Sequence, residues 1–276
     1  MSALDDKAEA RKQWDTDPCG AVTAAAVTPE TAEWYASVVR HRYQDYAPWM
    51  PDAVRFDAWA GRDVLEIGVG LGSDHLQFAR GGARMHALDL SAEHLRHTQQ
   101  HLAVHGLSTE ARLGDAERNP WPDASMDLVY SFGVLHHTPG TEQALAEVRR
   151  VLRPGGTAII GLYHRDSWFF WLSTMLTSGV VKLGLVRKGW RRLLSEIEYR
   201  SADNAAVPLV KVYSRGQVRR LFGEFTDVRV RPHHVEAGNF PPPLSHLLRR
   251  VPRARLEGSL GFGGWYLMIR ATKPAA

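Results

Sequence analysis

The sequence predicts an α/β fold, a mostly parallel sheet with helices on both faces. Short apolar runs alternate with amphipathic helical segments between residues 60 and 163. The runs are continuously apolar rather than alternating, as strands buried on two faces are. Right-handed crossovers then bring the carboxyl ends of the strands to one edge, where open sheets of this kind take ligands.

Residues 1–60 read as a helical lead-in: "PETAEWYASVVRHRYQDYAPWM" spaces Trp34, Val38 and His41 helically, and Pro48 and Pro51 close the run. Val64 to Ile67 is the first strand, bounded by Gly68. A helix follows from about Ser73 to Arg80, then "RMHALDL" as a strand and Glu93 to His105 as a helix. Ser91 and Glu93 stand close to a helix-start signal, two residues apart rather than the three of a capping box. "STEARLGD" is a weak strand and "MDLVYSFG" a stronger one. Glu142 to Leu152 is a helix stopped by Pro154-Gly155-Gly156, before the strand "TAIIGLY". The rhythm then fails: residues 164–209 read as an inserted cap, with a greasy stretch (Ser167 to Val186) and a basic amphipathic one (Lys188 to Arg200). Residues 210–276 return to the core with "SRGQVRRLFGEF" as a helix and "TDVRVRP" and "GWYLMIRAT" as strands.

With 276 residues, 44% hydrophobic and 23% charged, the chain has the make-up of a globular protein with one substantial core. The balance of 34 basic against 30 acidic residues gives a net charge of +4. That excess is too small and too local for a nucleic-acid footprint, so nucleic acid is not expected as a partner. Cys19 is the single cysteine, which excludes an internal disulfide and a cysteine-rich zinc site and fits a reducing, cytoplasmic compartment. The polar N-terminus carries no secretory signal. The greasy stretch, interrupted by Ser, Thr, Gly and Lys182, reads as buried or lid-forming rather than membrane-spanning.

The sharpest signal is "EIGVGLGSD", with Gly68, Gly70 and Gly72 at a strand-to-helix turn. Glycine there lets the backbone turn tightly and approach a ligand. The dinucleotide fingerprint G-x-G-x-x-G does not fit: its third position falls on Ser73 counting from Gly68, and on His75 counting from Gly70. Glu66, two residues ahead of the loop, would repel a pyrophosphate and stabilise an ammonium. Asp89, at the end of the next strand, is placed to accept both hydroxyls of a ribose. The edge therefore suits a ribose and an amino group, not a diphosphate.

"VLEIGVGLG" with Asp89, "GDAERNPWPDASMDLVYSFGVLHHT" and "VLRPGG" together resemble the class I S-adenosylmethionine-dependent methyltransferases, of the small-molecule type with His-His after the fourth strand. The resemblance is close over residues 60–163. It implies a Rossmann-like seven-stranded sheet with the last strand antiparallel between the fifth and sixth, and S-adenosylmethionine as cofactor. It further implies that Glu66, Gly68, Val69, Gly70 and Gly72 face the methionine part, with Asp89 on the ribose and Leu90 beside the adenine. Asp115 and Ala116 would meet the adenine amino group, Phe132 would line the pocket, and Trp14 would cover the cofactor. Asp127, at the start of its strand, is left structural.

Methyl transfer needs alignment, exclusion of water and, for a protonated acceptor, a base. His137 is the favoured candidate, with His136 and Tyr163 beside it; the alternative is that the histidine pair only shapes its loop. His164 and Arg165 share the same edge, and Tyr43 and Tyr46 are candidate lid aromatics. His233, His234 and Glu236 invite a metal reading, but adjacent histidines on a strand point apart, and no metal is expected. The apolar cap suggests a small or medium hydrophobic or phenolic acceptor, of the kind found in secondary metabolism, with O-methylation ahead of N- or C-methylation. The basic helix would suit an anionic membrane surface, although peripheral membrane contact is not expected. Rival readings are an RNA or protein methyltransferase, an NAD oxidoreductase, and a binding module that keeps the cofactor without methylating. Oligomeric state is not legible.

Overall fold

Strand β1 (Asp63–Ile67) lies in the interior of a seven-stranded sheet, where Val64 to Ile67 are all buried. The computed structural model describes residues 3–16, 26–198 and 207–275. The sheet order is β3-β2-β1-β4-β5-β7-β6, with β2 (Arg84–Asp89), β3 (Glu110–Leu113), β4 (Met126–Phe132), β5 (Leu152–Tyr163), β6 (Thr226–His233) and β7 (Tyr266–Thr272). β1 to β5 pair in parallel, and β7 runs antiparallel to both β5 and β6. This is the Rossmann-like topology expected from the sequence.

Both faces of the sheet are covered, which is why its strands read as unbroken apolar runs. On one face Leu65, Ile67, Val129, Ile160 and Ile269 pack with Leu145 and Val148 of helix α6 (Thr141–Val151). On the other, Val64, Leu128, Tyr130 and Ile159 pack with Leu76 and Phe78 of α4 (Ser73–Arg80) and with the lead-in residues Met50, Val54 and Phe56. The lead-in comprises α1 (Ala3–Thr16), α2 (Ala32–Arg40) and α3 (Met50–Val54). A π-helical turn, His41–Tyr46, extends α2. Pro51 opens α3 from its first turn rather than closing the preceding run, because proline lacks only a donor that the first turn leaves unused.

Helix α5 (Ala92–Ala103) starts as its sequence suggested: Ser91 is the N-cap, and its hydroxyl accepts from His94 N at 3.2 Å. Glu93 takes no part in a box and pairs instead with Arg96. Pro154-Gly155-Gly156 does not separate α6 from β5. Leu152 already pairs with Met126, and the triplet forms a bulge before Thr157 resumes the ladder opposite Leu128. Gly155 supplies the positive φ of 77° in that bulge.

Between β5 and α8 (Arg215–Leu221), the chain forms a π-helix, Phe169–Val181, and α7 (Gly184–Ser195). Phe170 and Leu194 of this hairpin pack with Tyr163, Trp265 and Tyr266 over the sheet edge. Two short helices, α9 (Leu244–Leu248) and α10 (Arg253–Leu260), fill the excursion before β7. Cys19, the segment around it and most of the "SADNAAVP" loop lie outside the described residues.

Candidate functional site

The carboxyl ends of β1, β2 and β4 open into two adjoining clefts that share Trp14, Gly68, Gly70, Phe132 and Gly133. They enclose about 880 and 870 Å³, open mouths included. Asp89, Leu90, Asp115, Ala116 and His137 line the first; Glu66, Val69, Asp74, Arg42, Tyr163 and Glu198 line the second. The strand-end residues singled out in the sequence, apart from Gly72, His136, His164 and Arg165, thus meet at one place.

The glycine turn has local causes. A β-carbon on Gly68 would sit 2.1 Å from a Val134 methyl, so the turn can pack under the β4 loop only with glycine there. Gly72, behind the clefts, has φ 74° and starts α4 against Thr98.

Asp89 is held by its neighbours: Oδ1 accepts from Ser91 N at 2.9 Å, and Oδ2 lies 3.3 Å from His94 Nδ1. Burial alone would lower the His94 pKa, but the Asp89 carboxylate outweighs it and raises it. His94 Nε2 also meets the Trp14 carbonyl at 3.1 Å, tying α1 over the first cleft. Asp115 is less free than its motif suggested, because Lys7 of α1 bridges it and Glu117 at 2.6 Å each.

Glu66 is buried and meets His75 Nδ1 at 2.9 Å. Thr109 donates its hydroxyl proton to the Met85 carbonyl (3.0 Å) and so accepts from His75 Nε2 (2.8 Å). His75 Nδ1 then carries the lone pair, and Glu66 must donate to it as a carboxylic acid. The electrostatics agree. Burial, and next the charge of Asp74, push Glu66 well above the carboxylate range, while burial lowers His75 to about 3. The sequence reading took Glu66 as an anion; in this hydrogen-bond chain it is a neutral acid.

The remaining negative charge beside it belongs to Asp74, which sequence reasoning passed over. Arg42 grips Asp74 from both sides (3.1 and 2.6 Å), and the hydroxyls of Tyr43 and Tyr130 donate to it at 2.6 and 2.7 Å. Burial would raise Asp74; Arg42 outweighs that and keeps it low. No spacing rule links Arg42 to Asp74, so no motif could have found the pair. The Arg42 guanidinium also lies 4.7 Å from the Phe132 ring centroid.

The histidine pair divides. His136 is fully buried, lines neither cleft, and its ring packs 3.7 Å from that of Tyr163. Burial, then His137, hold its pKa far below the usual value. His137 lines the first cleft under Trp14 (ring centroids 5.4 Å apart). Its Nδ1 donates to the Leu209 carbonyl at 2.7 Å, which leaves the lone pair on Nε2. Nε2 is buried, makes no hydrogen bond, and lies 3.8 Å from Glu198 Oε1. That same oxygen accepts the Tyr163 hydroxyl at 2.6 Å. Glu198, from just beyond α7, was missed because it belongs to no motif.

The other candidates lie elsewhere. His164 Nδ1 donates to the Gly264 carbonyl, and Arg165 is exposed beside Asp166. Tyr43 serves Asp74, and Tyr46 lines the second cleft against Tyr266. His233 stacks on Trp49 and faces Glu257, whereas His234 faces Glu236, so the pair does point apart. Among the described residues, the buried group that brings one ligand atom from each member within 4.8 Å of the others is His136, His137 and Glu198.

The residues fit S-adenosylmethionine. Gly70 presents open space where a β-carbon would stand, Asp89 offers acceptors for ribose hydroxyls, and Glu66 and Asp74 set acids beside the loop where a diphosphate would need cations. Residues 65–160 match the family model of a methyltransferase domain. The chain is 29% identical over 214 residues to an uncharacterized 37.1 kDa protein in transposon TN4556 of Streptomyces fradiae, covering 72% of this chain and 59% of that protein. It is 26% identical to 27-O-demethylrifamycin SV methyltransferase of Amycolatopsis mediterranei, over 78% of each chain. Among solved structures, the [4+2]-cyclase SpnF superposes with a TM-score of 0.57 at 14% identity, covering 97% of this chain and 95% of that one. The domain match, the sheet order and the acids at its edge agree: residues 65–160 form a methyltransferase domain of the class I type, whose methyl donor is S-adenosylmethionine.

Proposed function

We propose that this protein methylates a small or medium hydrophobic acceptor, at oxygen in preference to nitrogen or carbon. The supporting observation is the free lone pair of His137 Nε2, directed by the Leu209 carbonyl and set beside Glu198 where the two clefts adjoin. S-adenosylmethionine supplies an electrophilic methyl group when bound. The protein's own part is to hold, align and deprotonate.

In this reading Asp89 takes the ribose hydroxyls, and Leu90, Ala116 and Asp115 border the adenine. Glu66, the amides of residues 68–72 and Arg42 meet the amino and carboxylate ends of the methionine part, with Val69 in the wall. His137 takes the acceptor proton on Nε2, and Glu198 stabilises the resulting imidazolium. Tyr163 fixes the Glu198 carboxylate. His136, without cleft access, supports the Tyr163 ring. Residues 164–209 act as the acceptor cap, and the aromatic wall of Phe132, Tyr46, Tyr163 and Tyr266 suits an apolar or phenolic molecule. The rifamycin relative, a methyltransferase named for 27-O-demethylrifamycin SV, points the same way.

A second reading keeps the cofactor for another purpose, since a protein named as a cyclase shares the fold and fold alone does not set the reaction. Labelled S-adenosylmethionine offered with phenols, alcohols, amines, carboxylates and RNA tests the two together. Label transfer to a phenol or alcohol, abolished in His137→Ala with cofactor binding retained, supports the proposal. Transfer to RNA alone, or loss of cofactor affinity in His137→Ala, overturns it.

A further inference from the structure

We propose that the outer face of the cap hairpin docks on an anionic lipid bilayer. The tip where the π-helix Phe169–Val181 meets α7 leaves Val180, Val181, Leu183 and Val186 exposed, the last two valines at 70% and 86%. Trp171 and Trp190 flank them, each about half exposed. So large a cluster of exposed aliphatic side chains needs a partner surface. It does not arise from a poorly packed hairpin. Gly184 lies so close to the Ser178 carbonyl that a β-carbon would approach it to 2.5 Å, and Leu193 and Leu194 are buried on the inner side.

Charge identifies the partner. Lys182, Arg187 and Arg192 stand among the aliphatic residues, exposed and with no acidic partner among the described residues. Lys188 and Arg191 are different, being paired with Glu196 and Asp6 at 2.6 and 2.5 Å. Apolar side chains at a tip, free cations around them and tryptophans at the margin match an interface of acyl chains below anionic headgroups. A second copy of the chain fits worse, because a two-fold contact through this tip would bring the same unpaired cations together. The tip inserts without crossing: no described helix is long and apolar enough to span a membrane. Membrane contact, not expected from the sequence alone, becomes the preferred reading once the exposure of the hairpin is known.

This inference is independent of the methyl-transfer reading, since vesicle binding requires no turnover. The test is flotation of the full chain with phosphatidylglycerol-containing vesicles and with pure phosphatidylcholine vesicles, at low and high salt. The protein should float with the anionic vesicles, less so at high salt. V181S/V186S should reduce binding by about tenfold, and K182E/R187E by roughly fivefold or more per charge. All these positions are exposed, and an unchanged far-UV spectrum and melting temperature confirm folding of each variant. No flotation with anionic vesicles, or equal flotation by both variants, overturns the proposal. So does a wild-type dimer that V181S/V186S converts to monomer in sedimentation.

Discussion

The two halves of the site are built differently. The half proposed for the cofactor is made of strand ends: Glu66, Asp89 and the glycines of the β1 turn hold their places because the sheet ladder fixes their register, Ile67 opposite Leu88. The half proposed for the acceptor is assembled from distant helices and loops: Tyr46 and Glu198 arrive from the lead-in and the cap, and meet Tyr163 at the end of β5. A rigid frame can be altered one hydrogen bond at a time, whereas a composite wall changes shape. That difference teaches where binding and chemistry should separate.

The largest separation is expected at His137. His137→Ala should lower kcat by about 10²–10⁴ while leaving the Kd for S-adenosylmethionine nearly unchanged, as seen by titration calorimetry. Equal losses in rate and affinity would merge the two halves. Asp89→Ala should do the opposite, raising Kd about 10–100-fold through lost charge-assisted hydrogen bonds.

Glu66 sharpens the contrast through its proton. The hydrogen bond to His75 keeps a proton on Glu66, and an arriving ammonium should expel it. Calorimetry in buffers of different ionisation enthalpy should show net proton release on binding. Glu66→Gln, which can still donate to His75, should bind about tenfold more weakly and release no proton. A raised acid pKa also favours the folded state at low pH and loses that contribution as pH rises through the folded value. The glutamine variant should therefore be at least as stable as the parent above neutrality.

Buried imidazoles give a smaller global effect. Burial lowers His75 to about 3, and burial with Arg253 lowers His234 to about 3. Both stay neutral in the fold, so their contribution is complete above 6.5 and is lost as pH falls toward 3. Each should cost about 1.4 kcal/mol per pH unit below 6.5 in urea unfolding. The smallest effect is expected for Asp115→Asn: its half-open bridge to Lys7 should change cofactor affinity by less than about fivefold.

Legibility in the sequence follows the same division. The glycine turn and the acids at its edge were readable because strand ends obey spacing rules, whereas the antiparallel last strand came with the family resemblance. Ser91 announced α5, and the continuous apolar runs announced a sheet covered on both faces. Pro154-Gly155-Gly156 misled, since a stop signal and a bulge use the same residues. Lys7, Arg42, Asp74 and Glu198 were invisible, because their side-chain partners lie between 31 and 110 residues away and only the folded chain brings them together. The protonation of Glu66 was equally hidden, for it depends on His75 and Thr109 as a chain.

Parallel titration of the wild-type protein with S-adenosylmethionine and with NADH addresses the strand-end acids most directly. Acids placed for a ribose and an ammonium require saturable S-adenosylmethionine binding, with proton release, and none for NADH. Saturation by NADH without binding of S-adenosylmethionine would contradict the assignment of this edge.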